Sequence, residues 1–496
     1  MYLRVRKRNI NTTMKSGKKS NAFEFRYQFY LVIVIAIVSI NCARAAVISE
    51  KENVKSTIDV GVSRIDITPE TPIRLAGFGL RSKSESEGVL MRLNAKALAF
   101  GSDAQGPSIL ITVDLIGIPG YITNEVAAWL SKNAGIHRSR VVICASHTHS
   151  GPEIGTLLNI LQYRTPTAFS DSLLPVNQMN HISGYIAQLP GKLEQVAMDA
   201  LRNRAPSLVS WGVGEVGFAK NRRMANGPVD HAMPLLRVTD PEGNIRAILV
   251  NYACHAVALD YHGNKIHGDW VGAAQQQIEQ KHPGAIAMVA IGCGADANPS
   301  TEGLENNTPL EQVNAIGGMI ATETERLLAT PLQSVTSHPV GRFKQIDLPF
   351  AHIPGVNELI EQTNNKTVKG YYARLALNTI ARGGALPTSI SAYPVQTWAF
   401  GKQLTMIFLG GEAVSDYAIR LKNELGENIW VNAYSNDVPC YVPSRRALHE
   451  PRYGYEDESS MYYYNKPSRF ADDVEDRIIA TVHALLPHYK PVKKKL

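Results

Sequence analysis

The sequence predicts an α/β fold, with mixed or mainly parallel sheets covered by helices and a metal site at the C-terminal ends of strands. Three observations predict it. Apolar, β-rich runs alternate with helical patterns almost throughout the chain. The runs are continuously apolar rather than alternating, as in strands buried on both faces. Four of them lead into histidine, aspartate or glutamate, at the strand ends where α/β sheets collect ligands.

In order, "SILITVDLIGI" (108–118) reads as a strand, and a helix over 123–134 stops at Gly135, a residue suited to a left-handed cap. "RVVICA" (140–145) is the next strand, followed by a long helical stretch near 182–203 and the strands "MPLLRVTD" and "IRAILVNYA" within 233–253. Asp269 reads as the cap of a helix that runs to residue 280 and ends at "HPG". "AIAMVAIG" (285–292) is a strand; a helix near 309–328 and two helical stretches within 355–383 come next, then the pair "TWAF" and "LTMIFLG". The helix over 413–425 carries Val414, Tyr417, Ala418 and Leu421 at helical spacing, stops at Gly426 and precedes the strand "IWVNAY". Segment 440–466 is rich in Tyr, Arg and Glu and lacks apolar periodicity, so it reads as a long surface loop whose tyrosines favour function. A final amphipathic helix near 470–486 ends at Pro487.

The chain has 496 residues, 44% hydrophobic and 19% charged, an ordinary globular composition. Its net charge of +7 is concentrated at the two ends, so no nucleic-acid footprint is expected. Before residue 46, basic residues precede an apolar stretch over 30–40 and the small residues Ala43 and Ala45. That is the layout of a signal peptide cleaved near Ala45. The stretch is well short of the roughly 20 residues a spanning helix needs, so the expectation is a secreted or periplasmic protein without a permanent anchor. One domain is expected over 46–490, with a basic tail over 491–496. After cleavage four cysteines remain, Cys144, Cys254, Cys293 and Cys440, too few for a disulfide scaffold and all close to the motifs below.

"RVVICA" leads into "SHTHSGP", which carries His147 and His149, and "IRAILVNYAC" leads into His255. "AIAMVAIGCG" leads into Asp296 and Asn298, and "LTMIFLGG" into Glu412. Any one of these has an ordinary explanation: His255 as a satisfied core histidine, Glu412 as an acid favouring a helix N-terminus. Their coincidence at strand ends is what points to chemistry. Two histidines and a carboxylate from different strands make a three-ligand catalytic zinc set, with room for a phenol or water.

Together with weaker matches in the same order, "VGVSRIDITP", "MRLNAKALAF", "NRR", "NYACHAVAL", "GDWVG", "GADANP", "GGEAV", "CYVPS" and "RYGYE", the "HTHSGP" signature resembles the neutral, non-lysosomal ceramidase family over roughly residues 57 to 460. These are zinc-dependent amidohydrolases of N-acylsphingosines. The resemblance implies Zn2+ held by His147, His255, Glu412 and Tyr441. It implies His149 and Arg222 at the reacting carbonyl, Tyr453 stabilising the tetrahedral intermediate, Asp296 and Asn298 on the substrate side, and a water activated by zinc for attack on the acyl carbon.

Three departures accompany it. Asn298 stands where the family has a serine, Leu90 where it has a histidine, and the family's C-terminal β-sandwich domain is not expected after the tyrosine-rich segment. The reading is a secreted zinc hydrolase of an amide or related acyl bond, acting on a small-molecule, lipid or glycan substrate. The polar segment 440–466 favours a polar group over two hydrocarbon chains. A zinc enzyme acting on a carbohydrate or sugar ester, and a zinc-bearing binding protein without turnover, are the other two readings.

Overall fold

Strand Ser108–Val113 shows how the apolar runs are used. Ile109, Ile111 and Val113 join one buried cluster with helix residues such as Val126, Leu130 and Leu193, while Leu110 joins a second cluster with Trp398, Phe400, Met406 and Phe408. Successive side chains point to opposite faces, and both faces are buried. The computed structural model describes residues 56–486 except 82–83, 156, 159, 164–168, 170–173 and 260–262, and besides these only residue 13. The leader and the basic tail therefore lie outside the described residues. Thr57–Leu496 forms one compact unit.

The large sheet contains β1 (Ile58–Asp66), β2 (Asn94–Phe100), β3 (Ser108–Val113), β4 (Val141–Ala145), β5 (Ala205–Glu215), β6 (Ala232–Thr239), β7 (Ile245–Tyr252) and β8 (Ile286–Ile291). Their order is β4-β3-β2-β1-β5-β6-β7-β8, and the short strand Gln333–Val335 also pairs with β5. A second sheet contains β9 (Val340–Pro349), β10 (Ser389–Phe400), β11 (Leu404–Leu409) and β12 (Ile429–Asn432), in that order. The two sheets pack through Leu110, Val142, Leu249 and Met288 of the first against Trp398, Met406, Phe408 and Trp430 of the second. Helices such as Gly120–Ala134 and Val176–Arg202 cover the outer face of the large sheet; Asp416–Leu425 and Val474–Leu485 pack on the second. The layers run helix, sheet, sheet, helix.

The sheets are mixed, but antiparallel pairs dominate. Among the described residues of the large sheet only β3/β4 and β7/β8 are parallel, and β11/β12 in the second sheet. Of the expected mixed or mainly parallel sheets, the mixed arrangement is the one found. Continuous apolar runs need two covered faces, and a sheet packed on a sheet covers a face as well as helices do.

Several helix signals act as read. Gly135, at φ 66°, closes Gly120–Ala134, and Thr308 with Glu311 forms a capping box that opens Pro309–Leu328. The helix expected from 182 begins at Val176, because its first turns, "VNQMN", carry no apolar stripe. The helix expected from 413 begins at Asp416, and Glu412–Ala413 instead pairs in parallel with Tyr441–Val442. Among the described residues no helix is long and apolar enough to cross a membrane.

β4 and β8 stand at opposite ends of the sheet order, yet one segment touches both. Ala433 N–H donates to the Ile291 carbonyl at 3.0 Å, and the Tyr434 carbonyl accepts from Ala145 N–H at 3.1 Å. This seam brings the exits of β4, β7, β8 and β11 to one place.

Candidate metal centre

Two strand exits deliver the imidazoles. After β4 the chain turns at His147, whose φ of 57° is unusual for a residue with a side chain, a strain commonly stored at functional sites. After β7 comes His255. Nδ1 of His147 lies 2.7 Å from the Ile116 carbonyl oxygen, and Nδ1 of His255 lies 3.0 Å from that of Gly294. A carbonyl only accepts, so each Nδ1 carries a proton and each Nε2 is the ring nitrogen turned to the cluster. Both Nε2 atoms face Oε2 of Glu412, at 3.2 Å and 3.3 Å. Nε2 of His149 is 3.3 Å from Nε2 of His147, and Oη of Tyr441 is 3.1 Å from Nε2 of His255. The parallel pairing of Glu412 with Tyr441 sets these two side by side.

Electrostatics sharpen the picture. Burial, reinforced by its histidine neighbours, holds the His149 imidazole well below its ordinary value, and burial with Arg222 brings His255 down to about 4. Both are neutral near pH 7. Oε2 of Glu412 is buried without a hydrogen-bond partner. Ring nitrogens packed this closely around an unpartnered buried carboxylate oxygen leave a place for a cation among them. The ligand nitrogens of His147, His149 and His255 all lie within 4.8 Å of one another. The donor set therefore fits a metal ion, and imidazole with carboxylate suits zinc.

Around this cluster the side chains are held from behind. Arg222 donates through Nη2 to Oη of Tyr441 at 3.0 Å and through Nε to Glu456 at 2.7 Å, and its Nη1 is 3.4 Å from Nε2 of His255. Glu456 is fully buried and also accepts from Nε of Arg223 at 2.7 Å. It sits in the single π-helical turn Tyr455–Ser459, a local irregularity often found at functional sites. Tyr464 donates to Oε1 of Glu412, which leaves Oε2 for the cluster. Tyr464→Phe is expected to keep the fold and to weaken metal binding by roughly 10- to 100-fold, the usual cost of losing a partner behind a ligand. Titration with a competing chelator measures it.

Segment 440–466, expected as a surface loop, is folded and largely inside. It contains the short strand Tyr441–Val442, the helices Arg445–His449 and Ser460–Tyr463, and the π turn between them. Tyr441, Tyr453, Glu456 and Tyr464 are buried. Turns this short leave no apolar period to read, and two of its charges are paired within the fold: Glu456 with Arg222 and Arg223, Arg446 with Asp416. Arg445, His449 and Arg452 stay exposed, and a partly buried aromatic row runs out from the cluster. Tyr441 meets Tyr455 at 5.5 Å between ring centroids, Tyr455 meets Tyr463 at 6.2 Å, and Tyr463 meets Phe169 at 6.1 Å.

The other expected site residues fall into a neighbouring network. Tyr453 donates to Oδ2 of Asp296 at 2.8 Å and accepts from Nδ2 of Asn221 at 2.7 Å and Nη2 of Arg446 at 3.0 Å. Oδ1 of Asp296 accepts from the amide and hydroxyl of Ser415, both at 2.8 Å. The network reaches the cluster through the main chain, since Arg222 N–H donates to the Asp296 carbonyl at 2.8 Å. Tyr455, rather than Tyr453, is the tyrosine whose ring meets Tyr441 and the Arg222 guanidinium. Asn298 lies on the short strand Ala297–Pro299 with its Oδ1 buried and without a partner. Leu90 is about half exposed and bonds through its amide to Ile266, outside the histidine cluster. The four cysteines are buried and free; burial pushes the Cys144 thiol up to about 12, so they serve as small apolar packing.

Four contributors were not legible in the sequence: Tyr464, Glu456, Tyr455 and Tyr434, whose ring lies 4.4 Å from that of His147. The one available signal was the density of tyrosine in 453–464.

Known structures share this architecture. The chain superposes on the crystal structure of neutral ceramidase from Pseudomonas aeruginosa with a TM-score of 0.66 at 17% identity, covering 89% of this chain and 76% of that one. A ceramidase complexed with C2 gives 0.66 at 16% identity, covering 89% and 77%. At such identities the likeness concerns the fold, and it bears out the expected mixed α/β architecture. Residues 58–298, which include His147, His149, Arg222 and His255, match the family described as neutral/alkaline non-lysosomal ceramidase, N-terminal. Through that stretch the chain resembles the neutral/alkaline non-lysosomal ceramidase family, as its histidine signature indicated.

Proposed function

We propose that the protein is an exported, zinc-dependent hydrolase that cleaves the amide bond of a ceramide-like N-acyl lipid. The observation that carries this reading is the convergence of histidine ring nitrogens and the unpartnered Glu412 Oε2 on one buried point. His147, His255, Glu412 and Tyr441 would hold the ion. When bound, zinc supplies Lewis-acid polarisation for attack by water on an acyl carbon.

The chain's own groups do the rest. His149, neutral and facing the same point, is placed to touch the substrate carbonyl, and the Arg222 guanidinium offers fixed positive charge where the acyl oxygen becomes negative. Water adds OH to the acyl carbon, the C–N bond breaks, and the amine leaves with the proton. Tyr453 supports the site through Asp296, and the orphan Oδ1 of Asn298 is free to accept from a substrate N–H or O–H.

The substrate class follows from what the segment 440–466 leaves unpaired. Beside the cluster, Glu456 is already paired with Arg222 and Arg223, whereas the partly buried row Tyr455, Tyr463 and Phe169 suits a hydrocarbon chain. This replaces the expectation of a polar ligand, which rested on a surface loop. Export rests on the pattern of residues 1–45.

The test offers zinc-loaded protein an N-acylsphingosine, a short N-acyl amide and a sugar ester in one buffer. The expected result is release of fatty acid and amine from the lipid amide, at least tenfold more efficiently than from the others and abolished by chelation. Hydrolysis of the sugar ester alone, or turnover insensitive to chelation, would overturn the reading.

A further inference from the structure

The two histidine loops are joined by a third piece of chain that carries no ligand. Thr148 and Ala256 form a parallel bridge, and His149 N–H donates to the Ala256 carbonyl at 3.3 Å. The turn 267–270 then grips both loops. His267 N–H donates to the Ser150 carbonyl at 3.0 Å, and Oγ1 of Thr148 donates to the His267 carbonyl at 2.8 Å. On the other side, Nε1 of Trp270 donates to the carbonyl of His255 itself at 2.8 Å. Asp269, read from the sequence as a helix cap, is instead the first residue of the helix after the N-cap Gly268, and its carboxylate binds the loop beside it. Oδ1 accepts from Ala258 N–H at 3.0 Å and Trp270 N–H at 2.7 Å, and Oδ2 from Leu259 N–H at 2.9 Å. The residue is fully buried and holds φ at 55°.

We infer that Asp269 is a positioning residue for the metal centre: one carboxylate ties the loop after His255 to the start of the helix Asp269–Lys281 and so sets the spacing of His255 from His147 and His149. Three N–H donors facing one buried carboxylate form a charge-assisted clamp. The helix they anchor is packed into the core through Trp270, Val271 and Ala274, so the clamp transmits a rigid reference to the ligand loop. The left-handed φ selects aspartate, asparagine or glycine, and among these only aspartate presents two acceptor oxygens. The inference rests on the metal-centre reading above.

The test titrates Co2+ into the wild-type protein, Asp269→Asn and Trp270→Phe, following the visible absorption bands that report ligand geometry, with thermal unfolding of each apoprotein alongside. Asparagine tolerates the same φ but turns an NH2 towards an N–H donor. Trp270→Phe removes a single donor to His255 and covers the case in which Asp269→Asn does not fold. The expected result is a folded variant with altered Co2+ bands and at least tenfold weaker binding, and a smaller loss in the same direction for Trp270→Phe. Bands and affinity equal to wild type in both variants would overturn the positioning role while leaving the metal centre standing. Failure of the wild-type protein to bind Co2+ would overturn both.

Discussion

His147→Ala is expected to release the metal and abolish turnover, with a loss beyond the roughly 100- to 1000-fold typical of removing one oxyanion donor. Nε2 of His147 lies 3.2 Å from Glu412 Oε2 and 3.3 Å from His149 Nε2, so its removal opens the proposed ligand set. The variant also leaves alanine at a φ of 57°, a left-handed conformation that strains any residue with a Cβ other than asparagine or aspartate. His147→Asn separates the two effects, since asparagine accepts the left-handed backbone but cannot reach the ion as imidazole does. Both variants should lack zinc by elemental analysis, with the asparagine form the more stable in urea. Full zinc in either would remove His147 from the ligand set.

Arg222→Leu is expected to damage both stability and rate. Glu456 is fully buried and paired with Arg222 and Arg223. Removing one partner of a buried ion pair typically costs ~3–5 kcal/mol, and because Arg223 remains, the lower end of that range applies. The second loss is chemical. Without the guanidinium beside Tyr441 and His255, the developing negative charge on the acyl oxygen loses its fixed countercharge, worth on the order of 100-fold in kcat. Urea unfolding and steady-state kinetics on the N-acyl lipid measure the two separately. A stability loss with unchanged kcat would make Arg222 a strut rather than part of the chemistry.

Much of the centre was legible because the residues proposed as its ligands stand at the ends of apolar runs. The runs before His147, His255 and Glu412 are readable from composition alone, and the seam of residues 433–436 brings their exits together. Strand direction was not legible in the same way. A strand buried by helices on one face and by a sheet on the other has the same apolar composition as one between two helix layers, so Leu110 and Ile111 look alike in sequence although they enter different clusters. Segment 440–466 hid its structure because helical turns of four or five residues complete no amphipathic period. Tyr464 and Glu456 were hidden for a different reason. Their partners, Glu412 and Arg222, lie 52 and 234 positions away, and no local spacing rule spans such distances. Asp269 was visible as a helix-start residue, but its grip on Ala258 and Leu259 required the loop geometry.

The central claim is that His147, His255, Glu412 and Tyr441 hold a zinc ion, and X-ray absorption at the zinc edge of the loaded protein tests it most directly. The account predicts about one zinc per chain, bound by nitrogen and oxygen alone at roughly 2.0–2.1 Å, with the outer-shell scattering of imidazole. Failure to retain zinc, or a sulfur shell at about 2.3 Å from the cysteines buried nearby, would contradict it.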